Sequence, residues 1–289
     1  MYSLCSQASS DSSEGVSVVI CARNASRTIE SCIQSTLKYS PTEVIVIDGV
    51  SSDDTVRIAS RYPCKVYSDE GRGIAYARQL GAEKARTPYL VFVDADVELL
   101  GSNALLTLLN ELIRNNWAAI HAQIVDDGRY STYWDKCESV HWEIVFNRPI
   151  ERKYMSTAAC MMRRDLILRY KFDTSFVVAT EDGDFFYRIS KDGYRFGVST
   201  ARAFHHHRSS FGGFVRQRIN YGRGNARFAL KHREAFLQQL FAPLVILFGG
   251  VVLSVRHRPG LIPFYMVWGV SLFLGLAIGF RELVCAKTS

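Results

Sequence analysis

The sequence lacks a Cys-x-x-Cys pair, an apolar stretch at its start and, over its last hundred residues, almost all acids. Its seven cysteines are scattered, which argues against a zinc ribbon or a disulfide framework. They read as reduced, mostly core-filling thiols of an intracellular type of chain. Residues 1–15 are serine-rich without a hydrophobic segment, so a flexible leader is expected there rather than a signal peptide. Residues 185–289 hold three acids (Asp192, Glu234, Glu282) against fifteen Lys and Arg, whereas residues 1–100 hold thirteen acids against ten bases. The net charge of +7 is therefore lopsided, which suits an anionic membrane surface or a nucleic acid. Charge is missing altogether from Ala235–Val255 and from Leu261–Phe280.

Present in its place, along the first hundred residues, is a regular alternation. Short apolar runs at Val16–Cys21, Val44–Ile47, Val66–Tyr67 and Tyr89–Val93 predict buried strands. Between them, Thr28–Lys38, Thr55–Arg61 and Ile74–Ala85 carry helical spacing, and Ser51–Asp54 supplies capping chemistry. Such alternation predicts an α/β domain of parallel βαβ units with right-handed crossovers. A further helix is expected within 101–114, and 117–173 reads as an α+β extension. With 289 residues there is room for one large domain plus an appendage.

The Tyr89 strand runs into Asp94-Ala95-Asp96. Carboxylates at i and i+2 of an extended segment leave on one face, at the strand end where open α/β sheets hold ligands. Two such oxygen donors suit Mg²⁺ or Mn²⁺ with substrate phosphates; a solvated turn is the plain alternative. Asp48 closes the second strand and faces the same edge, as a nucleoside contact or a turn former. Arg72 and Arg78 flank a glycine-rich helix start that suits phosphate. A second acidic cluster, Thr180-Glu181-Asp182-Gly183-Asp184, precedes a helix, where acids either cap it or supply a general base. One imidazole of His205-His206-His207 can complete a metal shell, with His205 and His207 as candidates.

The two uncharged runs are each about long enough to cross a ~30 Å hydrocarbon core, and Arg256–Gly260 joins them. They predict a transmembrane hairpin, a re-entrant arrangement or a buried hairpin, with Pro243 and Pro263 near helix starts or kinks. Upstream, Arg202–Arg233 holds eight Lys and Arg and no acid, interleaved with aromatics. Beside such runs this reads as an interfacial segment on anionic lipid headgroups rather than a nucleic-acid site. The flanking charges favour a cytoplasmic catalytic domain, although Arg256 and Arg258 in the connecting turn argue the other way.

Together these residues resemble family 2 glycosyltransferases of the GT-A fold over roughly residues 16–233. The likeness rests on Val18–Asn24, Val46–Thr55, Gly71–Gly73 with Ala77–Gln79, Asp94–Asp96, and Glu181-Asp182 before Arg188 and Gly193-Tyr194. Thr180-Glu181-Asp182 is similar to the Thr-Glu-Asp of the cellulose-synthase-like branch. Gln217–Tyr221 is a changed form of that branch's Gln-x-x-Arg-Trp, with Asn220 and Tyr221 in place of Arg and Trp. That departure argues against processive synthesis, and Ala25 stands where the family has an acid. With the composition read above, four parts are expected: a leader (1–15), a GT-A domain (16–203), a basic amphipathic segment (204–234) and a transmembrane hairpin with a short tail (235–289).

It also implies a nucleotide-sugar donor held by Ala22, Arg23, Asn24, Asp48, Arg72, Arg78 and Asp94, with Gln217 and Arg218 steadying diphosphate or acceptor. Asp94, Asp96, His205 and His207 are the implied ligands of Mn²⁺ or Mg²⁺. Asp182 would be the base of an inverting transfer and Glu181 its partner. The implied acceptor is a polyprenyl (dolichyl)-linked glycan that receives one sugar, with GDP-mannose a candidate donor. The alternatives are a synthase that loads the sugar onto polyprenyl phosphate and a membrane-anchored module that binds nucleotide sugars without turnover.

Overall fold

The computed structural model describes residues 15–152 and 154–288, apart from the side chains of 286–288. The expected leader, all but Gly15, lies outside the described residues. Val16–Ala22 (β1), Glu43–Asp48 (β2), Cys64–Ser68 (β3) and Tyr89–Asp94 (β4) pair in parallel in the order β3-β2-β1-β4. Ile29–Leu37 (α1), Thr55–Ala59 (α2) and Ile74–Lys84 (α3) make the crossovers, the connection that parallel neighbours require. Both faces of β1 are covered, Val18 and Ile20 on one and Val19 on the other. On the second face α3 comes so near that a Cβ at Gly81 would sit 2.3 Å from Val19 Cγ1.

Past Asp94–Asp96 the chain stops obeying the local period. It runs through Val97–Leu100 (β5), Ala104–Arg114 (α4), Ala119–Ile124 (β6) and Tyr133–His141 (α5), which continues as a π turn to Phe146. Glu151–Arg152 (β7), Ala159–Arg163 (β8), Arg164–Tyr170 (α6), Glu181–Lys191 (α7) and Phe196–His205 (β9) follow. These strands extend the sheet as β4-β8-β6-β9-β5, with β7 also on β9. Strand β8 is antiparallel to β4 and β6, β6 is parallel to β9, and β5 and β7 run antiparallel to β9. The α/β architecture is therefore a mixed sheet under helices on both faces, as in GT-A domains.

Phe211–Lys231 (α8) starts on Ser210, whose Oγ accepts from Gly213 N at 3.2 Å. Phe236–Leu244 (α9), a π turn at Val245–Gly249, Gly250–His257 (α10) and Ile262–Thr288 (α11) complete the chain. Arg233–His257 and Pro259–Cys285 are each long and apolar enough to cross a membrane. Pro243 sits just before the π turn, a usual companion of a bent helix. The basic segment is not a free amphipathic helix. Along one side α8 meets α11 backbone to backbone: a Cβ at Gly275 would lie 2.1 Å from Ile219 O, and one at Gly222 2.3 Å from Leu272 O. Its other side covers the segment leading into α7.

Candidate active site

The carboxyl ends of β1 and β4, the start of α7 and one side of α8 enclose a cleft of about 770 Å³, ample for a nucleotide sugar. Asp94 ends β4, its N–H donating to Ala158 O at 2.8 Å. Pairing of β5 with β9 sets Val97 opposite His205, and this register, invisible in the sequence, brings Asp96 beside the histidines. Asp96 Oδ1 lies 3.3 Å from His205 Nε2, and Oδ2 lies 3.5 Å from Arg208 Nη2. Burial works against the charge on Asp96, but His205 and Arg208 outweigh it and hold the carboxyl down at about 2. Burial likewise opposes a charge on His205, and the facing Asp96 raises its affinity for a proton nonetheless.

Across the cleft stands Arg78, projected from α3 and only 4 % exposed. Its Nη2 is 2.9 Å from Asp94 Oδ1 and its Nη1 pairs with Glu181. One buried guanidinium thus joins the two acidic motifs, and Arg78 binds them rather than standing free for phosphate. Glu181 is consumed by that pair. Asp182, next in the first turn of α7, accepts from Gly183 N at 2.7 Å and keeps its face to the cleft. Burial raises its proton affinity, against the pull of Arg78. A carboxylate so placed can accept a proton from a group bound in the cleft.

The loop before α7 is strained. Thr180, β-branched, sits at φ 70 in the left-handed region. It is held by α8: Thr180 Oγ1 donates to Asn225 Oδ1 at 3.3 Å, and Gly224 leaves room that a Cβ would take at 2.3 Å from that Oγ1. Asp184 anchors the next turn, completely buried, with Arg188 Nε, His232 Nε2 and Lys231 Nζ at 2.8, 2.8 and 2.6 Å.

A smaller recess of about 280 Å³ adjoins the cleft through Cys21, Arg23, Ile74 and Val178. Ala22, Gly49 and Asp69 also line it. Behind it, Asp48 Oδ2 accepts from Ser51 N at 3.0 Å while its buried Oδ1 has no partner. Asn24 ties the β1 turn to the next loop, its Oδ1 accepting from Ser52 N at 2.8 Å and its N donating to Ser51 Oγ at 2.9 Å.

Among the expected site residues, Arg23, Asn24, Arg78, Asp94, Asp96, Glu181, Asp182 and Gln217 share the cleft. Ala22 lines the recess, and His205 backs Asp96. Three stand elsewhere. Arg72 stacks on Tyr76, its guanidinium carbon 3.5 Å from the ring centre. His207 is buried against Tyr130, ring centres 5.2 Å apart, and does not line the cleft. Arg218 turns away into the helix layer, 2.5 Å from Glu138 Oε1 and 3.9 Å from the centre of Trp268; it neighbours Gln217 in sequence but leaves α8 about 100° further round. Conversely, sequence reasoning passed over Asp69, Thr157 and Arg208. Asp69 carried a signal, since it follows β3 as Asp48 ends β2 and its N donates to Asp48 O at 2.9 Å.

The model of the family described as glycosyl transferase family 2 matches residues 17–173, more than half of the chain. The 4,4'-diaponeurosporenoate glycosyltransferase of Staphylococcus haemolyticus (strain JCSC1435) is 32% identical over 118 residues, 38% of this chain and 32% of that protein. The protein of that name from Staphylococcus aureus (strain USA300) is 32% identical over 105 residues, 34% of this chain and 28% of its own. The chain thus spans about a third of the length of these curated relatives. Among solved structures, the mannosyltransferase PcManGT from Pyrobaculum calidifontis, in complex with GDP-Man and Mn2+, superposes with a TM-score of 0.63 at 17% identity. That likeness covers 92% of this chain and 87% of the other, and it bears on the fold alone.

Proposed function

Because the chain belongs to glycosyltransferase family 2, we propose that it moves a single sugar from a nucleotide-sugar donor to a hydroxyl of a lipid-borne acceptor, with inversion at the anomeric carbon. The observation that carries this reading is the pairing of Arg78 with both Asp94 and Glu181, which leaves Asp182 at the start of α7 without an ion-pair partner among the described residues. The nucleoside lies in the recess, where Asp69 can accept from a base or ribose, with Asp48 behind it. The sugar diphosphate reaches across towards Asp96 and Arg208.

A divalent cation suits this end of the cleft, since Asp96 stays ionised and His205, once it gives up its proton to make way for the cation, would add an imidazole nitrogen, a donor pair acceptable to Mn²⁺ and, with phosphate oxygens, to Mg²⁺. Among the described residues no three His, Cys, Asp or Glu converge as a ready-made metal site, so the diphosphate would complete the shell. When bound, the ion offsets negative charge on the leaving nucleoside diphosphate. Asp94 is engaged by Arg78, and His207 lies outside the lining.

In the transfer Asp182 takes the proton of the acceptor hydroxyl, whose oxygen attacks the anomeric carbon as the diphosphate leaves. Glu181 is a positioning residue: through Arg78 it fixes the start of α7 to the end of β4. Gln217, Asn220 and Tyr221 of α8 close the acceptor side. A lipid-borne acceptor is supported by a groove of about 370 Å³ that continues from Val178 and Ala179 between Arg223 and Arg227 and the end of α11. The relatives named as 4,4'-diaponeurosporenoate glycosyltransferases point the same way. GDP-mannose and a polyprenyl-linked glycan remain the specific candidates, with the catalytic domain on the cytoplasmic face.

The test is a thermal-shift screen of UDP-, GDP- and CDP-sugars with and without Mn²⁺, followed by transfer to a lipid extract. A donor at 100 times its dissociation constant adds about 2.7 kcal/mol of stability. A shift with one base, deepened by Mn²⁺ and lost in Asp96→Ala, is expected. A shift without any donor turnover overturns the reading in favour of the module that binds without activity, and absence of any shift overturns both.

A further inference from the structure

The turn between the two apolar helices is fastened to the catalytic body. Tyr133, the first residue of α5, donates its hydroxyl proton to Gly260 O at 2.7 Å, and Tyr133 Oη in turn accepts from Phe264 N at 3.1 Å. Leu261 and Phe264 are 2 % and 0 % exposed, packed with Cys137, Trp134 and Val140 of α5 and with Phe214 of α8. One turn later Tyr265 Oη and His141 Nδ1 are 2.8 Å apart.

The far end of α11 is fastened too: Arg223 Nη2 of α8 is 2.9 Å from Glu282 Oε1. So is the start of the hairpin, where Tyr187 of α7 donates to Glu234 at 3.0 Å. A helix of 27 residues is about 40 Å long at 1.5 Å per residue. A hairpin crossing a bilayer would carry its turn about 30 Å from the domain it anchors, beyond the hydrocarbon. Here the start, the turn and the end all touch that domain, and α8, with its arginines, runs beside α11 throughout.

What the hairpin shows to solvent is apolar. Phe241, Val245 and Phe248 on the first helix and Val270 and Phe273 on the second are each half or more exposed, a continuous patch beyond what a water-facing surface keeps. Arg256 and Arg258, both exposed, border it at the turn, and Arg233 and Arg281 border it at the other end.

We infer that the hairpin does not cross the membrane: it lies flat against the catalytic domain and sinks its outer apolar face into one leaflet of an anionic bilayer, with the Arg256–Gly260 turn on the same side as the active site. The basic turn then sits at the same headgroups as the other arginines, which removes the conflict over orientation that a spanning hairpin creates. It also sets the cleft at the level of the headgroups, from which a lipid-borne acceptor is reached without leaving its leaflet.

The full chain with Cys5→Ser and Cys285→Ser is added to preformed sealed vesicles of equal parts phosphatidylcholine and phosphatidylglycerol, then floated. One exposed cysteine is added by His257→Cys at the turn or by Arg114→Cys on α4, both at exposed positions, and the protein is treated with a membrane-impermeant maleimide before and after detergent, with the chain lacking either addition as the blank for half-buried Cys21 and Cys64. Co-flotation is expected, with both cysteines labelled before detergent to the same fraction of their total. Labelling of the turn only after detergent, while Arg114→Cys labels before, means the hairpin spans and overturns the inference. So does a chain that stays in solution as an oligomer, which would mean that a second copy covers the patch instead of lipid. These outcomes are independent of donor turnover, so they stand or fall apart from the proposed activity.

Discussion

Residues 16–100 and residues 204–285 differ in where they keep their charged side chains. In the first region an ion pair such as Arg57–Asp54 lies on the surface, each side chain 59% exposed, and Arg78 is turned inward only where the cleft needs it. In the second, Arg218 is buried against Glu138, while Lys231 and His232 close on the buried Asp184 of α7. The parallel sheet is held by apolar burial and tolerates exchange at its rim. The helical layer adds to its apolar packing a set of buried polar contacts between elements far apart in sequence, and removing one partner strands the other. The acidic start of α7 lies where these two modes of construction meet.

The contrast is tested most severely at that meeting point. Asp182→Asn keeps the size of the side chain and removes its basicity, so the transfer rate should drop ~10²-fold or more, with donor affinity and circular dichroism unchanged. Asp54→Asn, in the exposed pair, should alter neither. An acceptor that is already ionised, such as a polyprenyl phosphate, needs no base. Turnover surviving in Asp182→Asn would therefore transfer the assignment to the synthase reading and leave the fold argument untouched.

Next in size is the buried pair. Arg218→Met leaves Glu138 charged and alone, which typically costs about 3–5 kcal/mol, read as a lower denaturant midpoint at constant slope. Joining it to Glu138→Leu should restore much of that loss, because burying two ions is itself expensive. Failure of the double variant to recover would show that Arg218 matters through its stacking on Trp268 rather than through its charge. Gly224→Ala comes third. Its Cβ would stand 2.3 Å from Thr180 Oγ1 and 2.6 Å from Ala179 O, an overpacking worth about 1–3 kcal/mol. Since the Thr180 turn presents Asp182, kcat should fall while the KM for the donor holds. Equal loss in both would mean that α8 merely covers the cleft.

The same division governs what could be read from the residues alone. Strands β1 to β4 and the helices between them are local objects, each announced by its own period and turn chemistry, and Asp48, Asp94 and Asp96 follow as the acids at their ends. The remainder depends on pairings between distant segments. Nothing in Val97–Leu100 announces that it will lie on β9, yet that pairing places His205 on Asp96. Gln217 and Arg218 are adjacent letters with opposite fates because α8 is contacted on both sides, and a helix period cannot say which side faces substrate. The uncharged runs revealed their length but not their path, which is set by contacts with α5, α7 and α8.

The mildest effect at neutral pH concerns histidine, and it separates the two regions by kind. Residues 1–120 contain no histidine. Burial pushes His121 on β6 down to about 4 and His141 on α5 down to about 3. Both rings are neutral when folded and take up a proton near 6.5 once exposed. The unfolded chain therefore binds more protons than the folded one from about 6.5 down to the folded values, and stability must fall as the pH falls through that window. Carboxylates with depressed pKa add their own loss only lower, as they begin to protonate. Hydrogen exchange between pH 7 and 5 should accordingly show α5 and the Tyr265 turn opening before β1 to β4. His141→Gln can still hydrogen-bond Tyr265 without titrating; it should flatten the dependence and leave His121 to supply the rest. If β1 to β4 open first, the sheet rather than the helical layer is the weaker partner at acid pH, and the contrast between the two regions is reversed.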